Sequence, residues 1–175
     1  MLLASCGGGT SDPADNAAAP SPTTRPTPPY TVYVTNEGSG DLTVIAGGTH
    51  EVLATIPLGK RPRGIKVGPD GNRLFVALSG SPPSPPGVDE DSLPPPDRSA
   101  DGIGIVDLAE QRVVTVLDAG TDPEQVAVSP DGTRIFAANE DAAMATIVEI
   151  ASGDMIAELP VGGEPEGVSL SPDGR

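Results

Sequence analysis

The sequence predicts an all-β fold, in which four-stranded antiparallel sheets repeat as the blades of a partial β-propeller. Three observations predict it. A Pro-Asp-Gly turn recurs at Asp70, Asp131 and Asp173, each time after a short apolar-alternating run. The last two turns are 42 residues apart, within the roughly 40–45 residues that one four-stranded blade requires. Glycine (22) and proline (21) are abundant while aromatics make up 2% with no Trp, a composition of many turns and short strands in which helices are scarce.

Taken in chain order, residues 1–29 form a leader and tether. Leu2 to Cys6 reads Leu-Leu-Ala-Ser-Cys and resembles a bacterial lipoprotein lipobox, in which small residues precede a cysteine that is acylated and becomes N-terminal after cleavage. Only five residues precede Cys6, so the basic segment and most of the apolar segment of such a leader are missing, and a start further upstream is expected. Gly7 to Pro29 is a Gly/Ser/Thr/Ala/Pro tether that cannot bury a core. Together these imply a lipid anchor on Cys6 in the periplasm or at the cell surface, and Gly7 after the cysteine implies the outer membrane.

Strands follow from alternation and turn signals. Tyr30–Asn36, Asp41–Ala46 and Glu51–Gly59 supply the last three strands of a first unit. The second unit runs Gly64–Gly68, Arg73–Leu78, Gly102–Leu108 and Arg112–Gly120; the third runs Glu124–Ser129, Arg134–Asn139, Ala145–Ile150 and Asp154–Gly162. A first strand of a fourth unit precedes the terminal Ser-Pro-Asp-Gly-Arg. In the turn, Pro presets φ, Asp bonds its own backbone and Gly takes the positive φ. The turns at Asp70 and Asp131 are 61 residues apart because Ser79 to Asp101 is an insertion (loop about 80–101) with no counterpart after Asn139. Its prolines keep it extended.

Tyr33-Val34-Thr35-Asn36, the "PEG/PEQ-V-x-x-SPDG" segments and the "IPLG/LPVG" strand ends resemble the YVTN family of β-propeller repeats over about Tyr30 to Arg175. That family is similar to surface-layer propellers and YncE-like periplasmic proteins, and more distantly to lactonase-type propellers and the haem-carrying propeller of dissimilatory nitrite reductase. The resemblance implies a seven-bladed ring. Three blades' worth of strands do not close one, since closed propellers have four to eight blades, so residues 30–175 are expected to be the N-terminal part of a longer propeller.

The same resemblance implies a binding face where the last-to-first and second-to-third strand connections open. Its loops are Asn36–Asp41, Lys60–Gly64, Thr121–Gln125, Asn139–Met144, Gly163–Gly167 and the insertion, made acidic by Asp89, Glu90, Asp91 and Asp97. The ligand-binding candidates are Arg61, Arg63, Glu124, Asn139, Glu140, Asp141 and Glu166: the two cations suit a carboxylate or phosphate, or salt-bridge their acidic neighbours. An acidic ring could also hold Ca2+, although no EF-hand spacing supports it.

A formal net charge of -15 argues against nucleic acid, because phosphate contacts need Lys and Arg. No apolar run is long enough to span a membrane, which leaves the Cys6 anchor as the membrane contact. His50 is the sole histidine, lies in a turn on the other face, and completes no Ser-His-Asp triad. No Cys-x-x-Cys-His and no His/Cys cluster occurs, and Gly102-Ile-Gly-Ile-Val lacks the third glycine of a dinucleotide fingerprint, so no cofactor is evident and no catalytic set is recognised. The expected function is a lipid-anchored extracytoplasmic binding or scaffold module for a protein or small molecule. The alternatives are a lactonase-like hydrolase and a cofactor-handling accessory of a periplasmic redox pathway.

Overall fold

The computed structural model of the 175-residue chain describes residue 27, residues 29–89 and 92–171, and residue 173. Cys6, the tether through residue 26, Glu90, Asp91, Pro172 and Gly174 lie outside the described residues. Among those described, the fold is all-β, a partial β-propeller of three antiparallel sheets without an α-helix. The first sheet holds β1 (Thr31–Asn36), β2 (Asp41–Ala46) and β3 (Val52–Pro57). The second holds β4 (Pro62–Val67), β5 (Arg73–Leu78), β6 (Gly102–Asp107) and β7 (Arg112–Leu117). The third holds β8 (Pro123–Val128), β9 (Arg134–Asn139), β10 (Met144–Glu149) and β11 (Met155–Pro160). In every sheet the strands pair in chain order.

The expected strand before the last turn does not form: after β11 the chain runs on through Ser171 without a ladder partner. The reason lies in the pairing of the other copies. β4 pairs only with β5, and β8 only with β9, each the strand that follows its own turn. Among the described residues no strand follows this segment's turn to pair with it.

The turns are built as their residues dictate. Asp70 Oδ1 accepts from the Asn72 amide at 2.9 Å, and Asp131 Oδ1 from the Thr133 amide at 3.1 Å. Gly71 and Gly132 take φ of 70° and 71°. Ser129 Oγ and the Thr133 groups together hold the Asp131 carboxyl down to about 2.

β5 organises the packing. Its sequence Arg-Leu-Phe-Val-Ala-Leu is apolar at five successive positions because both faces are covered. Leu74, Val76 and Leu78 join Leu42, Ile56 and Leu58 of the first sheet side, while Phe75 and Ala77 join Val126, Val128 and Ile135 of the third. Each large side chain so buried stabilises the fold by about 1.5–3 kcal/mol.

At the end of the second strand the copies show two solutions to one packing problem. Asn36 Nδ2 donates to Thr43 Oγ1 at 2.7 Å in the first sheet, and Asn139 Nδ2 donates to Thr146 Oγ1 at 3.0 Å in the third. The second sheet has Leu78 and Gly104 at the equivalent register positions, where a Cβ on Gly104 would stand 3.1 Å from Leu78 Cδ1. A polar bond is thus replaced by a large side chain over a small one. Leu78→Asn alone strands a buried amide and Gly104→Thr alone crowds Leu78. The double variant should cost about 1 kcal/mol less than the two single costs combined, measured by urea unfolding in a double-mutant cycle.

Candidate functional site

The connections into β4 and β8 end on a residue before proline, in Arg61-Pro62-Arg63 and Asp122-Pro123-Glu124, and the same pattern recurs after β11 as Glu164-Pro165-Glu166. The first residue of each takes positive φ, at 38°, 52° and 51°, a left-handed turn that side chains other than glycine adopt rarely. The repeat therefore places equivalent side chains side by side at the start of β4 and β8, and there they carry opposite charge.

Arg63 is the centre of the resulting cluster. Its Nη1 meets the carboxylate of Glu124 as an ion pair, lies 3.3 Å from Glu140 Oε2 and 3.9 Å from Asp122 Oδ1. The Glu124 oxygen is buried and takes this pairing without the alignment of a hydrogen bond. Burial lowers the Arg63 pKa and Arg61 lowers it further, while Asp122 and Glu140 push back. Arg61 Nη1 stands 4.0 Å from Asp122 Oδ1, and its Nε donates to Glu37 Oε1 at 2.5 Å. Ser79 Oγ donates to the same Asp122 oxygen.

One oxygen from each of Asp122, Glu124 and Glu140 lies within 4.8 Å of the others, a grouping of the size that holds a metal ion. The donors are carboxylates alone, which suit a hard divalent cation. The Arg63 guanidinium already reaches all three, so a cation entering there would first have to displace it.

The insertion folds down over these loops and is fastened at both ends. At the base, the Asp97 amide donates to Gly80 O at 2.9 Å, and a Cβ on Gly80 would stand 1.7 Å from Asp97 O, so only glycine permits this approach. Asp101, almost fully buried, accepts from the Gly80 amide at 2.6 Å and from the Asp122 amide at 3.1 Å. Arg98 follows as a second clamp: Nη1 lies 3.2 Å from Asp101 and Nη2 pairs with Asp141 on the β9–β10 loop. Lys60 Nζ reaches Asp97 Oδ2 at 2.5 Å, and this bond with that from Ser99 holds the Asp97 carboxyl at about 2.

Two clefts remain beneath the insertion. One of about 630 Å³ lies between Glu37–Gly40, Gly59–Arg61 and the prolines Pro82, Pro83, Pro94 and Pro95. The other, about 340 Å³, opens beside it over Arg61, Arg63, Asp122, Glu140 and Asp141.

Of the residues expected from sequence to form the site, Arg61, Arg63, Glu124, Glu140 and Asp141 come together. Asn139 does not: it is fully buried within the sheet packing, bonded to Thr146, because the last residue of the second strand still alternates inward. Glu166 is exposed and outside the cluster, since its segment joins no sheet. His50 sits exposed in the β2–β3 turn. Asp122 was missed although its place in the x-Pro-x repeat marks it as the counterpart of Arg61. Arg98 and Asp101 carry no sequence signal, because their roles depend on the path of the insertion.

No family model matches the chain, and no curated protein matches it. Among solved structures, the fold is similar to Kuenenia stuttgartiensis hydrazine synthase, with a TM-score of 0.66 and 19% identity over 82% of this chain and 36% of that one. This chain thus spans about a third of that structure's length. With 488 solved chains matching, the likeness establishes the architecture, which hosts many unrelated activities.

Two outcomes test the electrostatics. Arg63→Met leaves Glu124 buried without its cation and should destabilise by about 3 kcal/mol, while adding Glu124→Leu should recover much of that loss in thermal unfolding. The Asp97 pKa is depressed on folding, so its pairing with Lys60 is fully formed above the unfolded value near 3.9 and lost as pH falls through about 2. An NMR titration of Asp97 should show this midpoint, and Lys60→Met should move it upward.

Proposed function

We propose that this chain is a binding module whose loop face holds a small molecule or a segment of a partner protein beneath the insertion. The observation that carries this reading is the fastening of the insertion by Lys60, Arg98 and Asp101 across two clefts. A surface excursion without a role gains nothing from a buried carboxylate that ties its base to Asp122. The larger cleft offers proline rings and glycine backbone beside cations that are already paired, Lys60 with Asp97 and Arg61 with Glu37. Such walls suit a largely apolar ligand with a few polar atoms.

The carboxylates Asp122, Glu124 and Glu140 are engaged by Arg63, which favours a structural and recognition role over proton transfer. The further elements of the proposal come from sequence: kinship with YVTN and YncE-like propellers, a lipid anchor on Cys6, and residence outside the cytoplasm at the outer membrane. Metabolic labelling with a fatty-acid analogue should mark the wild-type chain and spare Cys6→Ser.

For the loop face, the full chain should be screened by thermal shift against neutral aromatic and carboxylate-bearing fragments. Stabilising fragments are expected, and replacing residues 82–96 with a Gly-Ser linker should abolish their effect. Fragments that bind equally well without the insertion, or that are turned over in a Glu124-dependent way, would refute the reading.

A further inference from the structure

Paired arginines at the start of β4 suggest an anionic ligand, but their surroundings reverse the sign. Three guanidinium groups, those of Arg61, Arg63 and Arg98, hold the walls of the smaller cleft. Their ion pairs reach six carboxylates: Glu37, Asp101, Asp122, Glu124, Glu140 and Asp141. Negative charge is therefore in surplus where a small molecule would enter. The walls of this cleft are the starts of β4 and β8, the β9–β10 loop and the insertion, all within or between described sheets.

Hydrogen-bond donors are short in the same place. Arg63 Nη1 is shared among Asp122, Glu124 and Glu140, and Glu124 Oε1, on a side chain only 7% exposed, accepts no hydrogen bond. Glu140 is held by Arg63 through Oε2, and Asp141 by Arg98 and Ser81 through Oδ2. Their second oxygens, Glu140 Oε1 and Asp141 Oδ1, accept no hydrogen bond among the described residues. Both side chains line the cleft and remain open to solvent, at 30% and 44% exposure.

We propose that the ligand held beneath the insertion is an organic amine, with its ammonium group at Glu140 and Asp141 and its apolar body against Pro82, Leu93, Pro94 and Pro96. With the clefts read as a ligand site, as above, the surplus of carboxylates sets the ligand's charge. An ammonium group carries three donors and no acceptor, so it takes the second oxygens of Glu140 and Asp141 while Arg63 and Arg98 keep the first. A carboxylate or phosphate would instead meet these two acidic side chains while the arginines are already engaged, and like charges brought together at a binding surface cost affinity. Pro82 and Pro94 line both clefts, so a longer apolar body continues into the larger one. As the ammonium neutralises Glu140, Arg63 is released toward Glu124 and its unbonded oxygen, which couples binding to the stability of the cluster.

The test uses the full chain and three probes that share one apolar body: phenethylamine, phenethyl alcohol and hydrocinnamate, which differ in the charge of the head group. Titrations followed by NMR at neutral pH should give the amine a dissociation constant about tenfold below that of the alcohol, with the carboxylate weakest. Glu140→Gln and Asp141→Asn should each reduce the amine's advantage over the alcohol at least threefold. Capped lysine amide separates two sources of the same head group: binding as tight as phenethylamine assigns it to a lysine of a partner protein, and weaker binding to a small amine. An alcohol or carboxylate that binds as tightly as the amine overturns the proposal and leaves the cleft reading standing. Failure of all three probes to bind overturns both.

Discussion

Burial of β5 on both faces is the constraint on which the rest of the molecule depends. A strand with one wet face can tolerate a polar residue at every second position, but β5 is pressed between the first and third sheets and must be apolar at both sets of positions. Two separate clusters are thereby hung on one strand, with Leu74, Val76 and Leu78 serving one and Phe75 and Ala77 the other. Sheets stacked in this way bring their inner-strand starts together at one end. Charges can sit deep there only because the neighbouring copy supplies the counter-ion, as Arg63 does for Glu124.

The loop face is a consequence of that stacking. Repetition puts Arg61 and Asp122, or Arg63 and Glu124, at equivalent places on adjacent sheets, and divergence between copies made the equivalent residues complementary. The insertion uses the same currency of buried polar contacts. Asp101 ties Gly80 to the Asp122 backbone, and Arg98 then bridges from Asp101 to Asp141. The clefts beneath are framed by backbone, proline and already-neutralised charge, which points to recognition.

The repeat was legible in the sequence because its signals are local. Asp70 and Asp131 bond the amides two residues on, as Pro-Asp-Gly requires, and strand alternation marked ten of the eleven observed strands to within two residues at each end, the exception being β7, which stops at Leu117 short of Gly120. Arg61, Arg63, Glu124, Glu140 and Asp141 were also legible, since chain order fixes which loops share a face. Asn139 was misread because its neighbours in sequence are loop residues while its own side chain belongs to the Asn–Thr pairing seen again at Asn36 and Thr43. The strand around Val168 was misread because a strand depends on a partner as much as on its own alternation. Arg98 and Asp101 could not be found at all: their neighbours Asp141 and Gly80 are set by how a proline-rich loop turns back.

The most direct test of this account is a methyl and aromatic NOE map of β5. Two-sided burial predicts cross-peaks from the Leu74 and Val76 methyls to Leu42 and Ile56, and from the Phe75 ring to Val126, Val128 and Ile135. Cross-peaks from all of these to a single sheet, or a Phe75 ring in contact with solvent, would contradict it.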